Sequence, residues 1–419
     1  MTDTAPAMDG LYYFRDQPER VADGIHLISA FGNSTCIETD EGLVVVDTCV
    51  RPMGARLVEQ IRGISDRPIR YVIYTHGHFD HAFGVWALLE DAERRGHPRP
   101  QVVAHELVPA RFDRYLELAG QHDHINRIQF ALPPQTKVVT REQFHYPDMV
   151  YRDTMILRLG GLTLQLHHAM GETDDATWVW IPERRTVCTG DLFIWSCPNI
   201  GNPFKVQRYE VEWAAALEAI AARESAALAP GHGPALLGVD AVREACLDTA
   251  RALRWLHDEV VRRLNAGMWA EQILAEVQAL PPDLTAKPYL RPIYGCPTFV
   301  VHGILRRYAG WFDGNPAHLF PAATAAIAGE VVRLAGAPQL LERARALQQA
   351  GDAQLALHLV DYVIDAGERA LAAEAQQLKG ELLAARTHAE PSFIARNIFK
   401  NGATATARAA QPAPSPGQG

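Results

Sequence analysis

Residues 75–81 read THGHFDH, directly after the apolar run YVIY at 71–74 and before AFGVWALLE. Few folds can use such a segment, because a strand end that opens on a cleft must bring its imidazoles and carboxylate together. His76 and His78 are two apart on extended chain and so face one side. Asp80 and His81 start the next helix and address a second position. Imidazole suits zinc and its neighbours, and carboxylate suits these or harder ions. Histidine accounts for 17 of 419 residues, so a single one would carry no argument. The spacing and its place between strand and helix carry it.

The rest of the front half supplies strand ends of the same kind. GIHLIS, STCIET, GLVVVD, IRYVIY and QVVAH have strand character. PMGARLVEQIRGI, AFGVWALLEDAERRG and ELVPARFDRYLELAG have helical spacing, with Pro52 suited to a first turn and Gly96 to a stop. After a less regular stretch around 120–150 the theme repeats with TMILRLG, LTLQLH, ATWVWI and TVCTG, then helix VEWAAALEAIAA and strand AALAP. Two β-rich halves, each with its own helices, predict an α/β fold of αββα type, two facing sheets with helices outside. Residues 1–236 form this domain. Residues 237–315 are expected as a helical extension followed by a Pro-rich loop that covers the cleft. From 316 to 400, Ala- and Leu-rich helical pairs with short Gly-containing joints predict tetratricopeptide-like packing, with too few repeats to cap themselves. The end, 401–419, is low in hydrophobicity and is expected to be disordered.

Composition excludes several classes. Lys plus Arg is 40 against 49 for Asp plus Glu, a net charge of −9, which argues against a protein devoted to nucleic acid. No apolar run approaches the roughly 20 residues of a membrane span, and MTDTAPAMDG has no secretory pattern. The six cysteines (36, 49, 188, 197, 246 and 296) form no C-x-x-C pair. Reduced, buried thiols and a cytoplasmic location are expected. Neither a G-x-S-x-G elbow nor a P-loop is present.

Further metal-competent groups close strands of the second half: Asp191 in TGDLF and His232 in APGHGP. Asp47, closing VVVD, is placed to orient a ligating histidine. The order THGHFDH, MGETDDA, TGDLF, APGHGP resembles the metallo-β-lactamase-fold hydrolases over about residues 24–234. RYAGWFDGNPAHLFP (307–321) and the helical pairs after it resemble the dimerisation domain of the alkyl sulfatase branch.

Carried onto this chain, the resemblance implies two divalent metal ions, zinc by expectation. One is held by His76, His78 and Glu172, the other by Asp80, His81 and His232, with Asp191 bridging. His167 and His168 compete with Glu172. A hydroxide shared by the ions would attack a small ester, an alkyl or aryl sulfate by expectation, and Asp80 would also move the proton. The alternatives are a carboxylic ester, thioester or lactam hydrolase on the same fold, and a non-enzymatic helical-repeat adaptor.

The segment SCPNIGNPFKVQRY should line the cleft, with Asn199, Lys205 and Arg208 binding an anionic head. His302 and Tyr294 are added as substrate-binding candidates. Two positions depart from the branch: Pro198 stands about where relatives carry a histidine proton donor, and His302 where they carry a sulfate-binding arginine. A homodimer through 316–400 is implied, with no nucleic-acid or membrane partner.

Overall fold

The computed structural model describes residues 13–409. Seven strands form one sheet in sequence order: β1 (Glu19–Ala22), β2 (Ile25–Ile28), β3 (Ser34–Thr39), β4 (Gly42–Val46), β5 (Ile69–Ile73), β6 (Gln101–His105) and β7 (Met149–Tyr151). The second holds β8 (Thr154–Leu159), β9 (Leu162–Ala169), β10 (Ala176–Ile181), β11 (Thr186–Ile194), β12 (Ala227–His232) and β13 (Leu236–Leu237), ordered β13-β12-β11-β10-β9-β8. Pairing is antiparallel except along β4-β5-β6-β7 and between β11 and β12. Those parallel strands have the helical crossovers that parallel pairing demands.

Strand alternation explains the layers. In β4, Val44 and Val46 enter a core shared with Leu164, Leu166, Val179 and Ala229 of the other sheet. Leu43 and Val45 point the opposite way, into a core with Leu57, Ile61, Val85, Leu88 and Phe112 of the helices Gly54–Ile64, Val85–Arg94 and Leu107–Glu117. In β10, Val179 and Ile181 face the first sheet, while Trp178 and Trp180 join a core with Trp213, Leu217, Leu253 and Ile304. Strands buried on both faces read as continuous apolar runs, as GLVVV and ATWVWI do. The αββα sandwich is the observed architecture.

The chain divides into two compact units, one of residues up to 122 with 137–310 and one of 123–136 with those from 311. Two expected boundaries therefore move. Residues 237–310 are no separate extension, because Val242, Leu253 and Leu256 of helix Val239–Asn265 share the core of β10 and β11. The supposed loop between 280 and 296 contains the helical turns Pro282–Thr285 and Pro288–Leu290, with Leu284, Tyr289 and Leu290 in that same core. Proline at the first helical positions is compatible with such turns, so the Pro-rich composition misled.

In the second unit, the helices Thr324–Ala335, Ala337–Gln349, Ala353–Asp365 and Ala372–Ala389 share one core around Leu341, Val360 and Leu378. Disorder from 401 is corrected for 401–409, which complete the helix Phe393–Ala409; residues 410–419 lie outside the described residues. That helix lies close against Ala372–Ala389: a Cβ on Gly402 would meet Leu383 Cδ1 at 3.1 Å, and one on Gly380 would meet Thr406 Oγ1 at 3.1 Å. Asn397 Nδ2 also donates to Gln129 O at 2.7 Å, tying the helix to the segment 123–136. Small residues that permit close packing leave no hydrophobic signal, so the composition of 401–409 reads as a tail.

The strand carrying Asp191 is longer than the TVCTG run suggests. β11 continues to Ile194 through register breaks on both sides of Gly190, whose φ is +50°. A bulge re-aims the side chain that follows it, here Asp191. A Cβ on Gly190 would lie 2.4 Å from Thr75 Oγ1, the residue before His76. Gly190→Ala is expected to destabilise the fold by about 1–3 kcal/mol and to weaken metal uptake, checked by urea unfolding and elemental analysis.

Candidate metal centre

The ends of β5, β11 and β12, the helical turn Phe79–Ala82 and the β9–β10 loop bring seven side chains together. Two donor sets form, His76, His78, Glu172 and Asp191 on one hand and Asp80, His81 and His232 on the other. Asp191 reaches into both. Its Oδ1 lies 3.3 Å from His81 Nε2 and 3.4 Å from His232 Nε2, while Oδ2 lies 3.8 Å from His76 Nε2. Asp80 Oδ2 is 3.4 Å from His232 Nε2 and 3.7 Å from His81 Nε2, and Glu172 Oε2 is 3.8 Å from His78 Nδ1. Six of the seven are buried and His78 is half-buried.

These groups fit metal ions. Two ligands each about 2.1 Å from a tetrahedral ion stand about 3.4 Å apart; three of these six spacings are 3.3–3.4 Å and the other three 3.7–3.8 Å. His81 Nε2, Glu172 Oε2 and Asp191 Oδ1 are buried without a hydrogen-bond partner, an arrangement that is costly unless something binds them. Around the donors stands a ring of supporting bonds. Asp47, in left-handed backbone (φ +61°), accepts from His81 Nδ1 at 2.8 Å and from Thr75 Oγ1 and N at 2.7 Å each. With Nδ1–H so committed, His81 turns Nε2 to the site. The orienting role expected of Asp47 matches this geometry.

Glu172 also has its own partners. Asn199 Nδ2 donates to Glu172 Oε1 at 2.6 Å, and Arg208 Nη1 pairs with the same oxygen and donates to Asn199 O at 2.6 Å. Asn199 and Arg208, expected to grip an anionic head, are buried and engaged with a metal-competent carboxylate instead. Of the three candidates for that position, the structure brings Glu172 into the donor set. His167 stacks on Trp178 with centroids 4.2 Å apart, and His168 stacks on His105 at 3.8 Å.

Lys205 is half-buried within electrostatic range of Glu172 and Asp80. His302 is exposed on the helix Pro297–Tyr308, where Arg306 Nη1 donates to Lys205 O at 2.9 Å. Tyr294 packs beside Ile194 and Ile293, its backbone N–H donating to Ser196 Oγ at 3.2 Å. The sequence did not point to Arg111, Asp175 or Thr75. Arg111 left one overlooked signal, since it falls on the apolar face of its helix with Val108 and Phe112.

The charges are sharply divided when protons are the only cations present. Burial, then the charge of His81, lowers His76 to about 4, and burial, then His76, puts His78 well below its usual value. Burial opposes charge on His81 and His232 as well, but the carboxylates led by Asp191 outweigh it, raising His81 strongly and His232 to about 10. Burial raises Glu172 to about 8, with Arg208 pulling down and Asp191 pushing up. Metal ligands must shed their protons, and His232 and Glu172 hold theirs at neutral pH. Metal uptake should therefore release protons at pH 7 and tighten as pH rises through about 8 and on toward 10, where the two groups deprotonate. Calorimetric titration in buffers of differing ionisation enthalpy checks this; uptake that is flat across that range would contradict it.

Comparison with known proteins gives this fold its relatives. Residues 29–232 match the profile of the Metallo-beta-lactamase superfamily, and 270–408 match that of alkyl sulfatase dimerisation. A linear primary-alkylsulfatase of a Pseudomonas strain is 29% identical over 342 residues, 76% of this chain and 62% of its own. An alkyl/aryl-sulfatase of Saccharomyces cerevisiae is 25% identical over 378 residues, 82% of this chain and 57% of its own. The solved structure of a stereoselective inverting sec-alkylsulfatase from Pseudomonas sp. superposes with a TM-score of 0.82 at 24% identity, covering 94% of this chain and 66% of that one. The chain spans about three-fifths of the length of the curated relatives it matches. With both profiles in register with the fold described, the chain carries a metallo-β-lactamase-superfamily domain over 29–232 and an alkyl sulfatase dimerisation match over 270–408.

Proposed function

We propose that this chain hydrolyses small sulfate esters and uses two divalent ions, zinc by donor set, as cofactors. The observation that carries this is the Asp191 carboxylate, which offers one oxygen to each donor set. Ions bound there would polarise an ester oxygen and acidify water. Asp80 sits between His81 and His232; burial raises its pKa, but those imidazoles outweigh it and keep the carboxylate ionised, ready to accept a proton from water.

Lys205 is placed for the opposite transfer, giving a proton to the leaving oxygen. Burial and then Arg208 lower its ammonium to about 7, against the pull of Glu172 and Asp80. At neutral pH it can bind an anionic head or protonate a departing alkoxide, the task for which Pro198 offers no side-chain donor. Water adds to the ester, one ester bond breaks, and an alcohol and sulfate leave. The alkylsulfatase names of the curated relatives support the sulfate class.

A panel of sulfate, phosphate, carboxylic and thioesters with one purified preparation tests this. Sulfate esters should be turned over, and Asp191→Ala should lose activity together with at least one metal. Lys205→Met should raise KM for both classes and slow turnover of alkyl sulfates by about 10²–10⁴ more than that of aryl sulfates. Turnover confined to carboxylic esters, thioesters or lactams would move the chain to that class, and a metal-free protein would favour an adaptor.

We also infer a homodimer through the second unit. The dimerisation profile match over 270–408 supports it. So does the exposure of Trp311 (77%), Phe320 (89%) and Leu334 (75%), apolar surface that self-association would cover. Light scattering at tens of micromolar should report twice the chain mass, and a clean monomer would refute it. Free cysteines at all six positions suit a reducing compartment, and we place the protein in the cytoplasm. Among the described residues no helix is long and apolar enough to cross a membrane.

A further inference from the structure

One buried ion pair beside the metal centre has no part in the chemistry above. Asp175 is fully buried and Arg111 is 4% exposed. Asp175 Oδ2 accepts from Arg111 Nε at 2.8 Å and from Gly77 N at 3.1 Å. Arg111 also pairs with Asp174. Gly77 is the residue between His76 and His78, and it closes tightly on this pair. A Cβ there would lie 2.9 Å from Arg111 Cδ, 3.1 Å from Asp175 Oδ2 and 3.2 Å from Phe112 Cε1. Asp175 in turn belongs to the β9–β10 loop, three residues after Glu172. A single carboxylate therefore fastens the loop of His76 and His78 to the loop of Glu172.

We propose that Arg111 and Asp175 are positioning residues for the donor set His76, His78, Glu172 and Asp191, and that they act on this set alone. The inference rests on the metal-dependent function proposed above. The set Asp80, His81 and His232 has its anchor in Asp47, which grips His81 Nδ1 directly and touches the first set only indirectly, through Thr75 and His76. No hydrogen bond or ion pair of Arg111 or Asp175 reaches Asp80, His81 or His232. Arg111 and Asp175 thus hold the first set from a side that the second does not share, Asp191 being the common member of the two. Arginine is needed at 111 because Nε and the Nη groups diverge to two carboxylates, which a lysine ammonium cannot copy.

The test measures zinc affinity by chelator competition and zinc content by elemental analysis on full-length protein. The variants are Asp175→Asn, Arg111→Met and Arg111→Lys, alone and in a His78→Ala background. Asp175→Asn keeps the shape of the side chain and serves if Arg111→Met fails to fold. Supporting bonds of this kind are typically worth about 10–100-fold in metal affinity. The expected result is that one zinc keeps its affinity while the other weakens by that factor in Asp175→Asn. Arg111→Lys should not restore it. In the His78→Ala background the same substitutions should cost nothing further, because the set they position is already broken. Asp47→Asn should weaken the ion that Asp175→Asn spares.

Unchanged affinity at both positions in Asp175→Asn would overturn the proposal. So would equal weakening of both ions, or full rescue by lysine at 111. Each outcome differs from failure of the underlying function, in which wild-type protein takes up no zinc at all.

Discussion

Asp191 is a carboxylate that cannot satisfy both of its oxygens within the protein. One faces His81 and His232, the other faces His76, and Oδ1 has no hydrogen-bond donor. An uncompensated buried charge of this kind is among the costliest features a fold can carry. Without metal the surrounding imidazoles share the burden: His81 and His232 are pushed toward the cation, while His76 and His78 stay neutral. Divalent ions would replace those protons with fixed charge. The bulge at Gly190, the ends of β4, β5 and β12, and the left-handed Asp47 are all arranged around that one side chain.

The candidate metal donors were legible because each closes or follows a strand that announces itself by apolar content. THGHFDH, TGDLF and APGHGP each join a strand signature to a turn, and local pattern sufficed. The sandwich was legible for a related reason: β4 and β10 are buried on both faces, so their sequences leave no choice but a layered interior. Glu172 was harder, since His167 and His168 are as near in sequence and chemically as able. Tertiary packing decides among them, stacking one histidine on Trp178 and the other on His105.

What stayed hidden depends on partners far apart in the chain. Residues 123–136 join a unit otherwise formed from 311 onward, and nothing in their composition reports it. Helix Phe393–Ala409 is held through Gly380, Gly402 and Asn397, residues that lack the apolar periodicity by which helices are recognised. Arg111 is legible only in retrospect, as a charge on an apolar helical face whose counter-ions lie more than sixty residues away.

The placement of Arg208 changes how an anionic substrate would be held. A carboxylate at position 172 is buried close to Asp191, and like charges at that range resist joint ionisation. Arg208 and Asn199 offset that repulsion by bonding Glu172 Oε1. A guanidinium committed in this way has less freedom to fork onto sulfate. In the proposed hydrolase, recognition of the anionic head then falls to Lys205 and the bound ions. A point charge with rotatable donors is less demanding of ligand shape than a planar fork. A site so built would accept sulfate esters of varied alcohols, and choice among them would pass to the walls of the cleft.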